Sequence, residues 1–256
     1  MIGAMAPPEI RLIGIAGLPR IEEGDDLGAL IVEAARAQET PLQQGDILVL
    51  TQRIVSASEG RILPRAHFEP SPYARAWSER WEKDPHVTEA VLSESVRVVR
   101  QLRGVLITET RHGLICANSG VDCSNVGGEE WLSLLPVDPD ASCRSLCRRL
   151  HDLAGERVAV IMTDTFGRPW RNGQTNIAIG VSGIAPLRNY VGLPDMDGVE
   201  LRVTEICIAD ELAGAAELVM NKLDGIPAVI VRGYRFEPAD GASAEIVRDP
   251  ELDLFP

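Results

Sequence analysis

The chain has 256 residues, 45% of them hydrophobic and 25% charged, with a formal net charge of −13. This is a globular composition, long enough for a substantial core, and neither disordered nor low in complexity. The acidic excess repels a phosphate backbone at long range, so general nucleic-acid binding is disfavoured; bound phosphates would need bridging cations or a locally basic pocket.

An apolar segment at 10–16 opens the chain and turns at Gly17-Leu18-Pro19. Asp25-Asp26 can then start a helix that places Leu27, Leu30, Ile31, Ala34 and Ala35 on one face. Gly45-Asp46 precedes the apolar run 47–50, which reads as a buried strand. The small polar residues of 51–61, ending in Glu59-Gly60-Arg61, suit a strand end and a turn beside a ligand. A second helix is expected over 88–101, followed by a hairpin of 104–109 and 114–117 around Arg111-His112-Gly113. After the glycine-containing loop 118–128 comes a helix at 142–153, with Arg144, Arg148 and Arg149 on a solvated face. Strands are expected at 157–162, 177–184 and 228–232, with a helix at 210–220, a turn at 221–227 and a peripheral acidic tail from 237. Helices and strands mix without βαβ alternation, so the expected class is α+β: mixed sheets with flanking helices in a single domain over 1–256, with room for two lobes.

No run approaches the ~20 apolar residues needed to span a bilayer. Met1 to Arg11 lacks a basic segment ahead of an apolar one, so no secretory signal is expected. Cys116, Cys123, Cys143, Cys147 and Cys207 form no CxxC pair and read as free thiols in a reducing compartment. The expectation is a cytoplasmic protein that binds neither nucleic acid nor membrane.

Two acids stand out. Asp122 follows the hairpin and Asp164 ends an apolar strand, each flanked by Ser, Thr, Asn or Gly. Hard cations such as Mg²⁺ want oxygen ligands and retain waters, so two carboxylates on neighbouring loops can anchor an ion whose shell phosphates complete. Asp is also common in turns, and spacing alone leaves plain capping open. Between Asp164 and Gln174 lie Thr165, Arg168, Arg171 and Asn172, a mixture suited to phosphate or carboxylate; surface arginines over Trp170 are the simpler alternative. His67, His86, His112 and His151 have no metal-ligand spacing, and neither a GxxxxGK[ST] nor a strand-coupled GxGxxG is present.

In order along nearly the whole chain, the following segments resemble the coenzyme F420:L-glutamate ligase (F420-0:γ-glutamyl ligase) family: Gly17-Leu18-Pro19, Glu22 with Gly24-Asp25-Asp26-Leu27, Ile54-Val55-Ser56, Glu59-Gly60-Arg61, Ala117-Asn118-Ser119-Gly120-Val121-Asp122, Ser124-Asn125-Val126, Thr163 through Gln174, and Asp224-Gly225-Ile226-Pro227. The resemblance implies an enzyme that adds L-glutamate to coenzyme F420-0, and then further γ-linked glutamates, using GTP and Mg²⁺ or Mn²⁺ through an acyl phosphate. It also implies an F420:glutamate ligase-like fold in an intertwined homodimer, with no fused nitroreductase-like domain expected in these 256 residues. Carried over residue by residue, Asp122 and Asp164 match a first metal site and Thr165 a ligand of a second. Leu18, Pro19, Arg20, Ile21, Gln52, Arg53, Asn125, Met220, Asn221, Lys222, Leu223, Asp224, Gly225 and Ile226 match nucleotide contacts, and Arg168 joins the two acids as a catalytic candidate. Three departures are visible. Ala57 stands where relatives often carry Lys, so that Arg53 or Arg20 would have to supply the charge. Asn221-Lys222 stands where archaeal relatives place an acidic metal ligand, which opens a phosphate contact for Lys222, and Asn176 stands where relatives often carry Asp. A metal-dependent phosphohydrolase and a non-catalytic nucleotide- or deazaflavin-binding protein remain the alternatives.

Overall fold

The computed structural model describes residues 7–124 and 127–253. In chain order it forms β1 (Arg11–Gly14), α1 (Leu27–Ala37), β2 (Ile47–Thr51), α2 (Gln52–Ser58), β3 (Ile62–Pro64), α3 (Pro72–Trp81), α4 (Pro85–Ser93), β4 (Ser95–Leu102), β5 (Val105–Thr110), β6 (Ile115–Ala117) and β7 (Trp131–Ser133). It continues with α5 (Pro139–Ala154), β8 (Ala159–Arg168), β9 (Arg171–Ser182), β10 (Leu187–Asn189), β11 (Glu205–Cys207), α6 (Ile208–Met220) and β12 (Ala228–Arg232). The mixture of several sheets with flanking helices is the expected α+β class.

The central sheet has the order β1-β12-β2-β8-β9. Its β2 and β8 are parallel, with Ile47 opposite Ala159 and Thr51 opposite Thr163; the other pairs are antiparallel. Both faces are covered. Leu48 and Leu50 point into one core with Ile31 of α1 and Leu146 and Leu150 of α5. Ile47 and Val49 point into a second core with Ala209, Leu212 and Ala216 of α6. Two-sided burial is why β2 reads as an unbroken apolar run and not as an alternating one. Each such side chain contributes about 1.5–3 kcal/mol relative to exposure.

Local chemistry fixes the covering helices. Asp138 caps α5 by accepting from Ala141 N–H at 2.8 Å, Pro139 takes the first turn, and Gly155 ends the helix at φ 77°. A Cβ on Gly180 of β9 would lie 2.7 Å from the Pro139 carbonyl oxygen, so that glycine lets the helix start rest directly on the sheet. Arg149 of α5 donates twice to Asp26, at 2.9 and 2.6 Å, and Asp26 also caps α1 through Ala29 N–H at 3.1 Å. At the other end of the sheet Arg232 of β12 makes a two-pronged pair with buried Asp46, at 2.9 and 2.7 Å.

Three expectations change. Residues 52–58 are the helix α2 rather than a turn: Ile54 and Val55 are buried in the core below β2, and that burial selects helix over loop. The helix expected over 88–101 is two elements. Asp84 caps α4 and Pro85 starts it, but from Ser95 the chain pairs with β5 as a strand. Val96, Val98 and Val99 are β-branched, and cross-strand pairing outweighs a helix-compatible pattern. The strands expected at 157–162 and 177–184 extend inward until they meet as a long hairpin, β8–β9, with Pro169-Trp170 at its tip. The helix α3 lies in a stretch for which no element was expected; Ser71, which caps it through Ala74 N–H, and Pro72 are its start signal. The hairpin at β5–β6 stands as expected. Among the described residues no helix is long and apolar enough to cross a membrane.

Candidate active-site cleft

β2 and β8 run parallel and end side by side, and a cleft of about 1050 Å³ opens beyond their carboxyl ends. In sheets of this kind, ligands commonly bind at that edge. Asp164 continues β8 immediately past Thr163 and reaches the cleft floor. Asp122 arrives from the turn after β6, through Asn118-Ser119-Gly120, whose φ angles are 55°, 53° and 69°. Three successive left-handed residues, two of them not glycine, mark a backbone held by its surroundings. Ser119 is the anchor: its N–H donates to Thr108 Oγ1 at 2.9 Å, and its hydroxyl lies 2.7 Å from those of Ser95 and Thr108. Gly120 combines positive φ with close approach, since a Cβ there would meet Leu135 at 2.9 Å. Past the turn, Asp122 exchanges both backbone hydrogen bonds with Ser133 of β7, which fixes its direction.

The electrostatics follow from that placement. Burial pushes the Asp164 carboxyl up to about 6; the Asp122 charge adds to the rise, and the Thr165 N–H, Arg53 and Lys222 pull against it. Arg53 of α2 donates to Asp122 and lies 3.4 Å from the Ser124 hydroxyl. Asp122 also accepts from the Ser124 N–H at 2.8 Å and its hydroxyl at 2.9 Å. Thr165 donates to Asn176 Oδ1 at 2.7 Å and accepts from Lys222 Nζ at 2.6 Å. The buried amide of Asn176 also donates to Thr163 Oγ1 at 3.1 Å. An amide at 176 can therefore accept from one threonine and donate to the other, a division of roles that an ionised Asp could not perform. Cys116 is buried, and burial together with Asp164 pushes its thiol up to about 12, so it supplies no thiolate.

Of the residues singled out in the sequence, Leu18, Pro19, Arg20, Ile21, Gln52, Arg53, Asp122, Asp164, Thr165, Asn221, Lys222, Gly225 and Ile226 all line this cleft. Ala57 lines it too, one helical turn on from Arg53. Met220 is buried beneath, in the α6 core, while Leu223 is 91% exposed and Asp224 accepts from Asn221 Nδ2 at 3.1 Å. Arg168 sits on the exposed tip of β8–β9, opposite Arg171 and outside the cleft lining. Asn125 lies outside the described residues. Glu217 of α6, not anticipated, lines the cleft and pairs with Lys222 at 3.0 Å; it sits inside an apolar helix, where only the fold reveals its direction. A second cavity of about 1070 Å³ opens at the opposite end of the sheet, between Arg148, Arg157 and Tyr234. It gathers none of the candidate catalytic, metal or nucleotide residues.

The donor set is one of oxygens: two carboxylates in mutual repulsion and a hydroxyl. Among the described residues no three His, Cys, Asp or Glu groups converge as a closed metal cage. An open pair of this kind fits a hard divalent ion that keeps positions for water and ligand oxygens, and it does not fit a structural zinc. The fold and the cleft together define the class: an α+β protein with an acidic, cation-rimmed cleft at the carboxyl ends of β2 and β8. The chain belongs to the F420-0:gamma-glutamyl ligase family, whose model matches residues 16–233. It is 43% identical to the coenzyme F420:L-glutamate ligase of Methanothermobacter thermautotrophicus over 249 residues, covering 96% of this chain and 98% of the relative. It is also 43% identical to the enzyme of that name from Methanopyrus kandleri over 254 residues, covering 97% and 98%. The enzyme of that name from Archaeoglobus fulgidus is 41% identical over 247 residues, 96% of each chain.

Proposed function

We propose that this protein is the ligase that adds L-glutamate to coenzyme F420-0 in coenzyme F420 biosynthesis, with GTP as the phosphoryl donor and Mg²⁺ or Mn²⁺ at the site, and that it adds further γ-linked glutamates. The observation that carries the reading is the meeting of Asp122, Asp164, Thr165 and Arg53, drawn from three separate segments, in one cleft of a chain whose relatives bear that enzyme's name. A cytoplasmic homodimer belongs to the same proposal.

In this reading a carboxylate oxygen of the F420-0 side arm attacks the γ-phosphorus of GTP, the bond to the GDP oxygen breaks, and an acyl phosphate forms. The amine of L-glutamate then attacks the acyl carbon, the amide bond forms, inorganic phosphate leaves, and the amine gives up its proton. Asp122 and Asp164 would hold the divalent ion, which when bound neutralises phosphate oxygens. Arg53 spends one donor on Asp122 and has others left for phosphate in a fixed planar fork. The turn 18–21 and the turn after α6 would flank the nucleotide, and the rigid strand ends keep the reacting groups in line. Arg168, at the hairpin tip, lies outside the lining of its own chain's cleft, and a catalytic part for it belongs to the same proposal.

The test is one reaction of F420-0, L-glutamate, GTP and Mn²⁺ read by mass spectrometry, with Asp164→Ala alongside. A glutamate-sized mass gain and GDP release are expected, with at least about a hundredfold loss in the variant, more than a supporting residue would cost. GTP hydrolysis indifferent to glutamate would indicate a phosphohydrolase, and tight binding without turnover a binding protein.

A further inference from the structure

Lys222 follows α6 in the turn to β12. The helix ends at Asn221, whose backbone adopts φ 48° and ψ 173°. The Asn221 side chain locks this exit, accepting from the Lys222 N–H at 2.7 Å and donating to Asp224 at 3.1 Å. The lysine is thereby turned over the cleft. Its ammonium donates to Thr165 Oγ1 at 2.6 Å and pairs with Glu217 at 3.0 Å.

A lysine paired with a glutamate on a protein surface is ordinary and contributes little. The arrangement of Thr165 is what sets this one apart. Its only proton goes to Asn176 Oδ1, and Asn176 is held in that orientation by its own donation to Thr163. The Thr165 hydroxyl therefore offers lone pairs alone to the cleft, which makes it a seat for a cation. The ammonium fills that seat, and it also occupies Glu217, the carboxylate that could have joined Thr165 around an ion. Asp122 and Asp164 are left as a second acidic pair in the cleft, where Asp164 is raised by the Asp122 charge, while Glu22 and Glu23 line it from the segment after β1.

We propose that the Lys222 ammonium stands in for a second divalent cation, so that the chain works with one ion, on Asp122 and Asp164, and a tethered positive charge on Thr165. The inference rests on the preceding reading that nucleotide phosphates enter this cleft together with a divalent ion. Lys222 then binds phosphate oxygen directly with its remaining donors, while Thr165 and Glu217 position it.

The test counts Mn²⁺ held per chain in the complex with a non-hydrolysable GTP analogue, by equilibrium dialysis with electron paramagnetic resonance of the free ion. Native protein and Lys222→Arg are expected to hold one Mn²⁺ per chain. Lys222→Glu, which removes the ammonium and frees Thr165 and Glu217, is expected to hold two. Lys222→Met is expected to bind the analogue about tenfold more weakly, the effect of losing a charge-assisted contact. Thermal melting of each variant, compared with the native protein, separates a changed count from misfolding. Two ions in the native protein, or an unchanged count in a folded Lys222→Glu, would overturn this inference and leave the metal-nucleotide reading standing. No ion in the native protein, or a count untouched by Asp164→Ala, would overturn both.

Discussion

Asp164 carries a cost that shows in the ion-free protein. Its carboxyl is raised from 3.8 to about 6 by burial, reinforced by Asp122. A raised acid favours the folded state fully below its unfolded value, and that contribution is lost as the pH rises through the folded value. Ion-free protein should therefore gain more thermal stability from Asp164→Asn at pH 7.5 than at pH 4.5, where the folded carboxyl is still protonated and only part of the contribution has been lost. Melting curves at the two values check this; equal shifts at both would contradict the electrostatic origin. In the same window Mn²⁺ affinity should fall as the pH drops below about 6, because protons then compete for the ligand. Ala57 lies one helical turn from Arg53 and both line the cleft, so Ala57→Lys would add a cation where an arginine already stands. Nucleotide affinity should change little, and a gain above about tenfold would show that Arg53 is no substitute. The sequence marks the acids Asp122 and Asp164 by the small hydroxylic residues beside them, a pattern shared with plain turns, and it is the fold that brings them to one cleft. Glu217 and the inward turn of Lys222 were not legible, since neither helix phase nor spacing says that α6 ends over the cleft.

At the level of elements, two joints should prove costly to break. Asp46 is buried and holds Arg232 with both oxygens, tying the start of β2 to the end of β12. Asp46→Ala leaves a partly buried guanidinium without its partner and should cost about 3 kcal/mol, read from the midpoint of urea unfolding. Gly180→Ala would drive a methyl group into the Pro139 backbone, which a capped helix start cannot easily yield. About 1–3 kcal/mol of lost stability is expected by the same measurement. The strongly patterned elements, β2, α5, β12 and the start of α1, could be read directly because local propensity and tertiary burial agree. The failures have a common cause: α2 and β4 contain β-branched residues whose helix or strand state is decided by what they pack against or pair with, the core below β2 for one and β5 for the other. The β8–β9 hairpin shows the same effect, since its outer half is polar and is held as strand by cross-strand register alone.

Across the whole molecule, the cleft joins the central sheet to the segments around Asp122 and to the turn after α6. A ligand held by all three should stabilise the fold by mass action, about 2.7 kcal/mol at a concentration of one hundred times Kd. For a chain of this size that is a rise in Tm of about 5–10 °C with GTP and Mn²⁺ together, smaller with either alone, measurable by scanning fluorimetry. The parallel pairing of β2 with β8 has one more consequence. Ile47 meets Ala159 only after the chain between them, with α3, α4 and the β4–β6 sheet, has been looped out. Contacts so distant in sequence close slowly, because the loop entropy is lost before the pairing returns anything. The helices can form early from local signals, but the floor that carries Asp164 exists only once this pairing has closed. On dilution from denaturant, helical circular dichroism should recover well before nucleotide binding does, and the lag between the two would time the closing of the sheet.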